Sequence, residues 1–308
     1  MAAYIGLHQQ IRSNNLKSSL ILAGFPFLIL AGVYAVFFFT LGGQEHINQV
    51  NQRFITTIPF VIGGVLIWFL IAYFANASLI QMASGSRPLE RRENMRVYNL
   101  TENLCMSVGM KMPQLFVIDS PSLNAFASGI NEKSYAVTLT TGIIEALNDE
   151  ELEGVIAHEL THIRNKDVRL LIVSIIFVGI ISFVVEILFR NLLWGGGRRN
   201  SKDDDNKFMI VALLVSLVAY FLSVVFKFAL SRKREYLADA GAVQLTRNSR
   251  ALASALRKIS GHSEVDSVKS EDVKQLFIEH KALDGAGFAG LFATHPPIEK
   301  RIAVLEQM

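Results

Sequence analysis

Four long stretches of this chain are almost without charge, and they limit what it can fold into more than any other feature. Leu20–Leu41 and Phe54–Ser86 contain no charged residue. Val168–Phe189 contains two, Arg169 at its start and Glu186 near its end, and Phe208–Phe226 runs uncharged up to Lys227. The first two exceed the roughly 20 apolar residues that a helix needs to cross a bilayer. Together the runs explain why 51% of the chain is hydrophobic and only 19% charged, against about a quarter charged in soluble domains. They predict an integral membrane protein with four transmembrane helices, the first pair near residues 20–41 and 57–82. The first run is too long for a signal peptide and lacks a small-residue cleavage site, so it is expected to stay in the chain.

Basic flanks set the orientation. Arg12 and Lys17 precede the first run, Arg87, Arg91, Arg92 and Arg96 follow the second, and Arg232, Lys233 and Arg234 follow the fourth. All fall on one side of a four-span chain, so both termini and both polar regions are expected in the cytoplasm. The loop Arg190–Lys207, with five bases beside Asp203, Asp204 and Asp205, opposes this mildly. A net charge of +3 gives no nucleic-acid patch. The single cysteine, Cys105, excludes an internal disulfide and a thiolate metal cluster.

The polar stretch Pro88–Asp167 reads as mixed α/β. Helical character runs over Glu90–Gly109, and Pro113 stops it. Gln114–Ile118, Asn124–Gly129 and Tyr135–Thr140 read as short strands. Asn148 or Asp149 caps a helix with acids in its first turn. That helix carries Val155-Ile-Ala-His-Glu-Leu-Thr-His-Ile-Arg164. His158 and His162, one turn apart, point the same way and can share a metal ion. Glu159, about 100° round the helix, reaches a water on that metal without being a ligand. Two surface histidines are the plain alternative, but these sit among apolar residues, where unpaired imidazoles are costly.

A catalytic zinc normally has three protein ligands. The long metzincin pattern needs Gly at 165 and His at 168; this chain has Asn165 and Val168, so that class fails. A glutamate from a second helix is the other option. Glu235 is the candidate, with Asp239 one turn later, placed to hold a ligand histidine by its other ring nitrogen. The third run begins just after His162 and the fourth ends just before Glu235, so a membrane hairpin returns the second helix beside the first. Asp167 is placed with Asp239 behind the ligands, orienting the helix end or an arginine such as Arg164. The expected organisation is residues 1–86, a transmembrane hairpin; 87–167, a cytoplasmic subdomain with the histidine helix; 168–230, a second hairpin; and 231–308, a cytoplasmic helical subdomain with the third ligand.

Asn124-Ala-Phe, Ala157-His-Glu-Leu-Thr-His162, Arg234-Glu-Tyr-Leu-Ala-Asp239, the order of the spans and Thr294-His-Pro-Pro-Ile-Glu-Lys-Arg301 together resemble the M48 zinc metalloproteases over nearly the whole chain. The more distant CAAX prenyl protease branch has more spans around a large chamber. The resemblance implies an α+β, mostly helical membrane protein with a gluzincin-type protease domain and a small edge-strand sheet. It implies one Zn2+ per chain, held by His158, His162 and Glu235, that activates a water with Glu159 as general base. His295 would donate to the oxyanion, with Arg301 near the substrate, and Asn124-Ala125-Phe126 would pair with an extended substrate. Its place would be the bacterial inner membrane with the site facing the cytoplasm, and its substrates misfolded or damaged membrane proteins and unfolded polypeptides. A metal transporter fits less well, because the ligands flank the spans and are not at their centres. An inactive scaffold would have no need of Glu159.

Overall fold

The first two apolar runs form helices longer than the runs themselves: α1, Leu7–Thr40, and α2, Ile47–Ser84. Within α2, Ile47–Ile71 spans 25 residues at a mean hydropathy of 2.3, long and apolar enough to cross a membrane. Its Phe60 and Ile67 are exposed, as lipid-facing side chains are. In α1 the apolar part is Gly24–Thr40. The computed structural model describes residues 7–41, 43–173, 210–218, 232–266, 271–274, 276–279 and 296–308, with positions 175, 176, 179, 181, 220 and 268. Residues 167–173 and 210–218 are helical. Apart from these and the single positions just named, the third and fourth runs, with Glu186, Lys227 and the 190–207 loop, lie outside the described residues.

The chain divides into two units. One comprises Lys17–Phe74 and Val173–Lys227. Its core contains Phe25, Val173 and Ile181, with Leu28, Ile29 and Phe69 packed on them. The other comprises Met1–Leu16, Ala75–Ile172 and Phe228–Met308, and it holds the histidine helix.

That second unit is built on a four-stranded sheet: β1 (Arg87–Pro88), β2 (Gln114–Ile118), β3 (Ala125–Ser128) and β4 (Ala136–Thr140), in the order β1-β2-β4-β3. Strand β4 runs parallel to β2 and antiparallel to β3. Every residue of β3 and β4 is buried, so neither shows the polar alternation of a solvated face. Helix α3 (Met95–Ser107) starts later than the apolar pattern suggests, because Asn94 caps it by accepting from Val97 N–H. A short helix, α4 (Thr141–Ala146), follows β4 directly. Gly142 allows it: a Cβ there would lie 2.2 Å from the Pro121 carbonyl oxygen.

Helix α5 (Asp149–Arg164) begins with a capping box, Asn148 accepting from Glu151 N–H and Glu151 from Asn148 N–H. The same Glu151 carboxylate accepts from Lys258 (2.7 Å) and Ser254 (2.7 Å). Burial works against its charge, but Lys258, Ser254 and the Asn148 N–H outweigh that and hold its pKa below the usual value. These bonds tie α5 to α7 (Ser249–Ile259), which follows α6 (Arg232–Thr246). Two further helices complete the unit, α8 (Glu271–Lys274) and α9 (Ile298–Leu305).

Candidate metal centre

Helices α5 and α6 lie against one another because Gly241 leaves room. A Cβ on Gly241 would sit 2.4 Å from Thr161 Cγ2, and Thr161 is pinned by its hydroxyl, which donates to the Ala157 carbonyl at 2.8 Å. This contact brings the acids of α6 to the histidines of α5. Gly241→Ala is therefore expected to push α6 off α5 at a cost of about 1–3 kcal/mol and to weaken metal retention. Thr161→Ala in the same chain removes the obstructing methyl and leaves the roughly 1 kcal/mol helix-propensity gain of Gly→Ala, so the double variant is expected to recover. Thermal unfolding and metal content of the single and double variants check this.

The ligand atoms of His158, His162 and Glu235 all lie within 4.8 Å of one another. The two Nε2 atoms are 3.1 Å apart, and Glu235 approaches both at 3.6 Å. Both rings are held from behind. Asp239 Oδ1 is 3.0 Å from His158 Nδ1, and Asp167 Oδ2 is 3.2 Å from His162 Nδ1; Asp167, expected behind the ligands with Asp239 and orienting the helix end or Arg164, thus meets a ligand ring itself. Each Nδ1 thus faces a carboxylate and each Nε2 faces the common centre, the ring orientation that metal-ligating histidines need.

His158, Glu159, Asp167, Glu235 and Asp239 are all buried. Four carboxylates stand there with two buried guanidinium groups, Arg234 and Arg301. With neutral imidazoles this leaves a negative surplus that a divalent cation matches, so the donor set and the charge both fit a metal. Burial opposes charge on His158, but its hydrogen bonds to Asp239 and Glu235 prevail and lift its pKa to about 9; a proton and a metal compete for the same ring. Burial pushes the Glu159 carboxyl up, and its oxygen accepts from the Ala127 main-chain N–H. Cys105 is buried, and that burial drives its thiol to about 11, far from a nucleophile's range.

Arg301 is not turned to a substrate, as the sequence suggested. It is 1% exposed, and its guanidinium grips Asp239 with two bonds, Nε to Oδ2 at 2.9 Å and Nη2 to Oδ1 at 2.7 Å. Burial works against the Asp239 charge, and Arg301 outweighs it, so the carboxyl titrates well below its usual range. Arg301 Nη1 also donates to the Ile278 carbonyl at 3.0 Å. His295 lies outside the described residues.

Strand β3 is at the end of the sheet, where Asn124-Ala125-Phe126 was expected to offer an edge. Asn124 itself precedes the strand and is buried. Its side-chain amide donates to the carbonyls of Ser263 (2.7 Å) and Glu279 (2.9 Å), and its Oδ1 accepts from Ala125 N–H. Phe126 is fully buried, edge-to-face on Phe277 with centroids 5.1 Å apart.

A family model described as Peptidase family M48 matches residues 91–308. A "Protease HtpX homolog" of Bacteroides fragilis (strain ATCC 25285) is 54% identical over 319 residues, 99% of each chain. One of Ligilactobacillus salivarius (strain UCC118) is 38% identical over 98% of this chain and all of its own. A crystal structure of S. mikatae Ste24p superposes with a TM-score of 0.47 at 20% identity, covering 96% of this chain and 66% of that one. The family match and the homologues of high identity define a metalloprotease. The chain belongs to peptidase family M48.

Proposed function

We propose that the chain is a membrane-bound zinc endopeptidase of the bacterial inner membrane, with four spans and a cytoplasmic site, that clears misfolded or damaged membrane proteins. One observation carries the reading: the convergence of His158, His162 and Glu235, each ring backed by a carboxylate, with Glu159 beside them. Held by these three side chains, zinc would supply a Lewis acid that brings the pKa of a water toward neutrality.

The chain's own groups do the rest. Glu159 takes the water's proton and delivers it to the leaving amine, and its buried, raised carboxyl suits that two-way role. Asp239 and Asp167 keep the two imidazoles aimed, and Arg301 keeps Asp239 in place. The outer edge of β3 is the track along which substrate main chain runs, which permits broad specificity. His295 serves as oxyanion donor in this reading, on the strength of the resemblance alone. The exposed apolar surface of α2 and the basic residues flanking the runs support the membrane setting and orientation.

The purified full chain in detergent is expected to degrade casein, to lose this activity with a chelator and to regain it with zinc. Proteolysis indifferent to chelator at saturating concentration would remove the metal from the mechanism.

A further inference from the structure

The edge of β3 that the proposed function gives to substrate already carries a piece of the chain itself. In an antiparallel ladder alternate residues turn their main chain toward the partner strand. Thr140 N–H donates to the Asn124 carbonyl, and Phe126 pairs with Thr138, so Ala125 and Ala127 turn theirs outward. The Ala125 carbonyl is taken by Ile278 N–H at 2.8 Å. Ala125 N–H goes to Asn124 Oδ1 at 3.0 Å, and Ala127 N–H goes to Glu159. The next carbonyl on the strap side, that of Glu279, is held by the Asn124 amide, and that of Ile278 by Arg301.

We infer that Leu276–Glu279 is an intramolecular strap occupying the place of the substrate's main chain, and that a peptide binds only when the strap lets go. Its side chains fit this as well as its backbone. Leu276, Phe277 and Ile278 wall one cavity together with Glu159, His162 and Glu235. The strap is fixed by hydrogen bonds and by Phe277 on Phe126. Among the described residues, 276–279 lie outside the helices and strands, and turns from Val273 and Lys274 lead into them. Such an attachment can open without unfolding the sheet. Opening then draws on substrate affinity: the apparent dissociation constant is the intrinsic one divided by the open fraction. The inference rests on the protease reading and adds latency to it.

The test uses the zinc-loaded full chain in detergent and an internally quenched peptide substrate. Ile278→Pro deletes the N–H that binds Ala125 and is expected to lower KM roughly two- to tenfold, the change that one net hydrogen bond corresponds to, with kcat unchanged. An unchanged or higher KM makes the segment a wall of the substrate site and overturns the strap. A lock supplies the converse and does not depend on the proline variant folding. Glu264 and Glu279 line one small cavity with Asn124 and Phe277. Glu264→Cys with Glu279→Cys, in a Cys105→Ser background, can be bridged by a bis-methanethiosulfonate spacer. The bridged protein is expected to keep its zinc, to lose cleavage and to recover it after reduction by a phosphine. Equal cleavage in bridged and reduced protein overturns the inference. Absence of cleavage in every zinc-loaded form, the reduced one included, sinks the protease reading and the strap with it.

Discussion

Glu159→Gln is expected to leave the metal bound and to abolish peptide hydrolysis. The amide nearly matches the carboxylate in size, and its oxygen still accepts the Ala127 N–H that Glu159 accepts now, so the pocket keeps its shape. What is lost is a site for the water's proton. General bases contribute roughly 10²- to 10⁴-fold, and a loss of that order with full metal content is the signature. Zinc and cleavage must be measured on one purified sample, since apo-protein alone would also be inactive. Normal turnover in a zinc-loaded Glu159→Gln protein would remove Glu159 from the chemistry.

Glu235→Ala is expected to remove zinc and activity together, because two histidines seldom hold a catalytic zinc. Asp239 needs gentler treatment than its place behind His158 alone would suggest. Alanine there would strand the buried Arg301, and breaking a buried ion pair costs about 3–5 kcal/mol, so loss of metal and loss of fold would be confounded. Asp239→Asn keeps a partner for both neighbours and is expected to weaken zinc affinity by roughly 10- to 100-fold, with activity returning at high zinc. Metal titrations of the two variants separate ligand from support. One tightly bound zinc in Glu235→Ala would overturn the ligand assignment.

What the sequence shows of this site is what has a local period or a local cap. The strands at 114–118 and 136–140 announce themselves by β-branched residues between turns, whereas that at 125–128, Ala-Phe-Ala-Ser, carries none. Helix α5 declares its start at Asn148, and i, i+4 spacing puts His158 with His162 and Glu235 with Asp239. That these two faces meet depends on a hairpin read from hydropathy. The pairing of Arg301 with Asp239 is another matter. It joins residues 62 apart, and no periodicity in either helix points to it. The strap at 276–279 is invisible for the same reason, since its bonds to β3 are made by main-chain atoms that every residue carries. Asp167 was placed behind the ligands without its partner, because it lies five positions after His162, beyond the helical spacing that justified the other pairs; the turn at 165–166 folds it back. Strand β1, two residues long, and α4, six, are too short for a pattern.

The buried ion pair between α9 and α6 bears on when this enzyme can exist at all. A ribosome delivers His158 and His162 first, Glu235 after the second apolar pair, and Arg301 later still. Until Arg301 arrives, Asp239 has no guanidinium to balance its charge in a pocket already crowded with carboxylates, and the ring of His158 has no fixed support. Hydrolytic competence is therefore among the last properties a growing chain acquires.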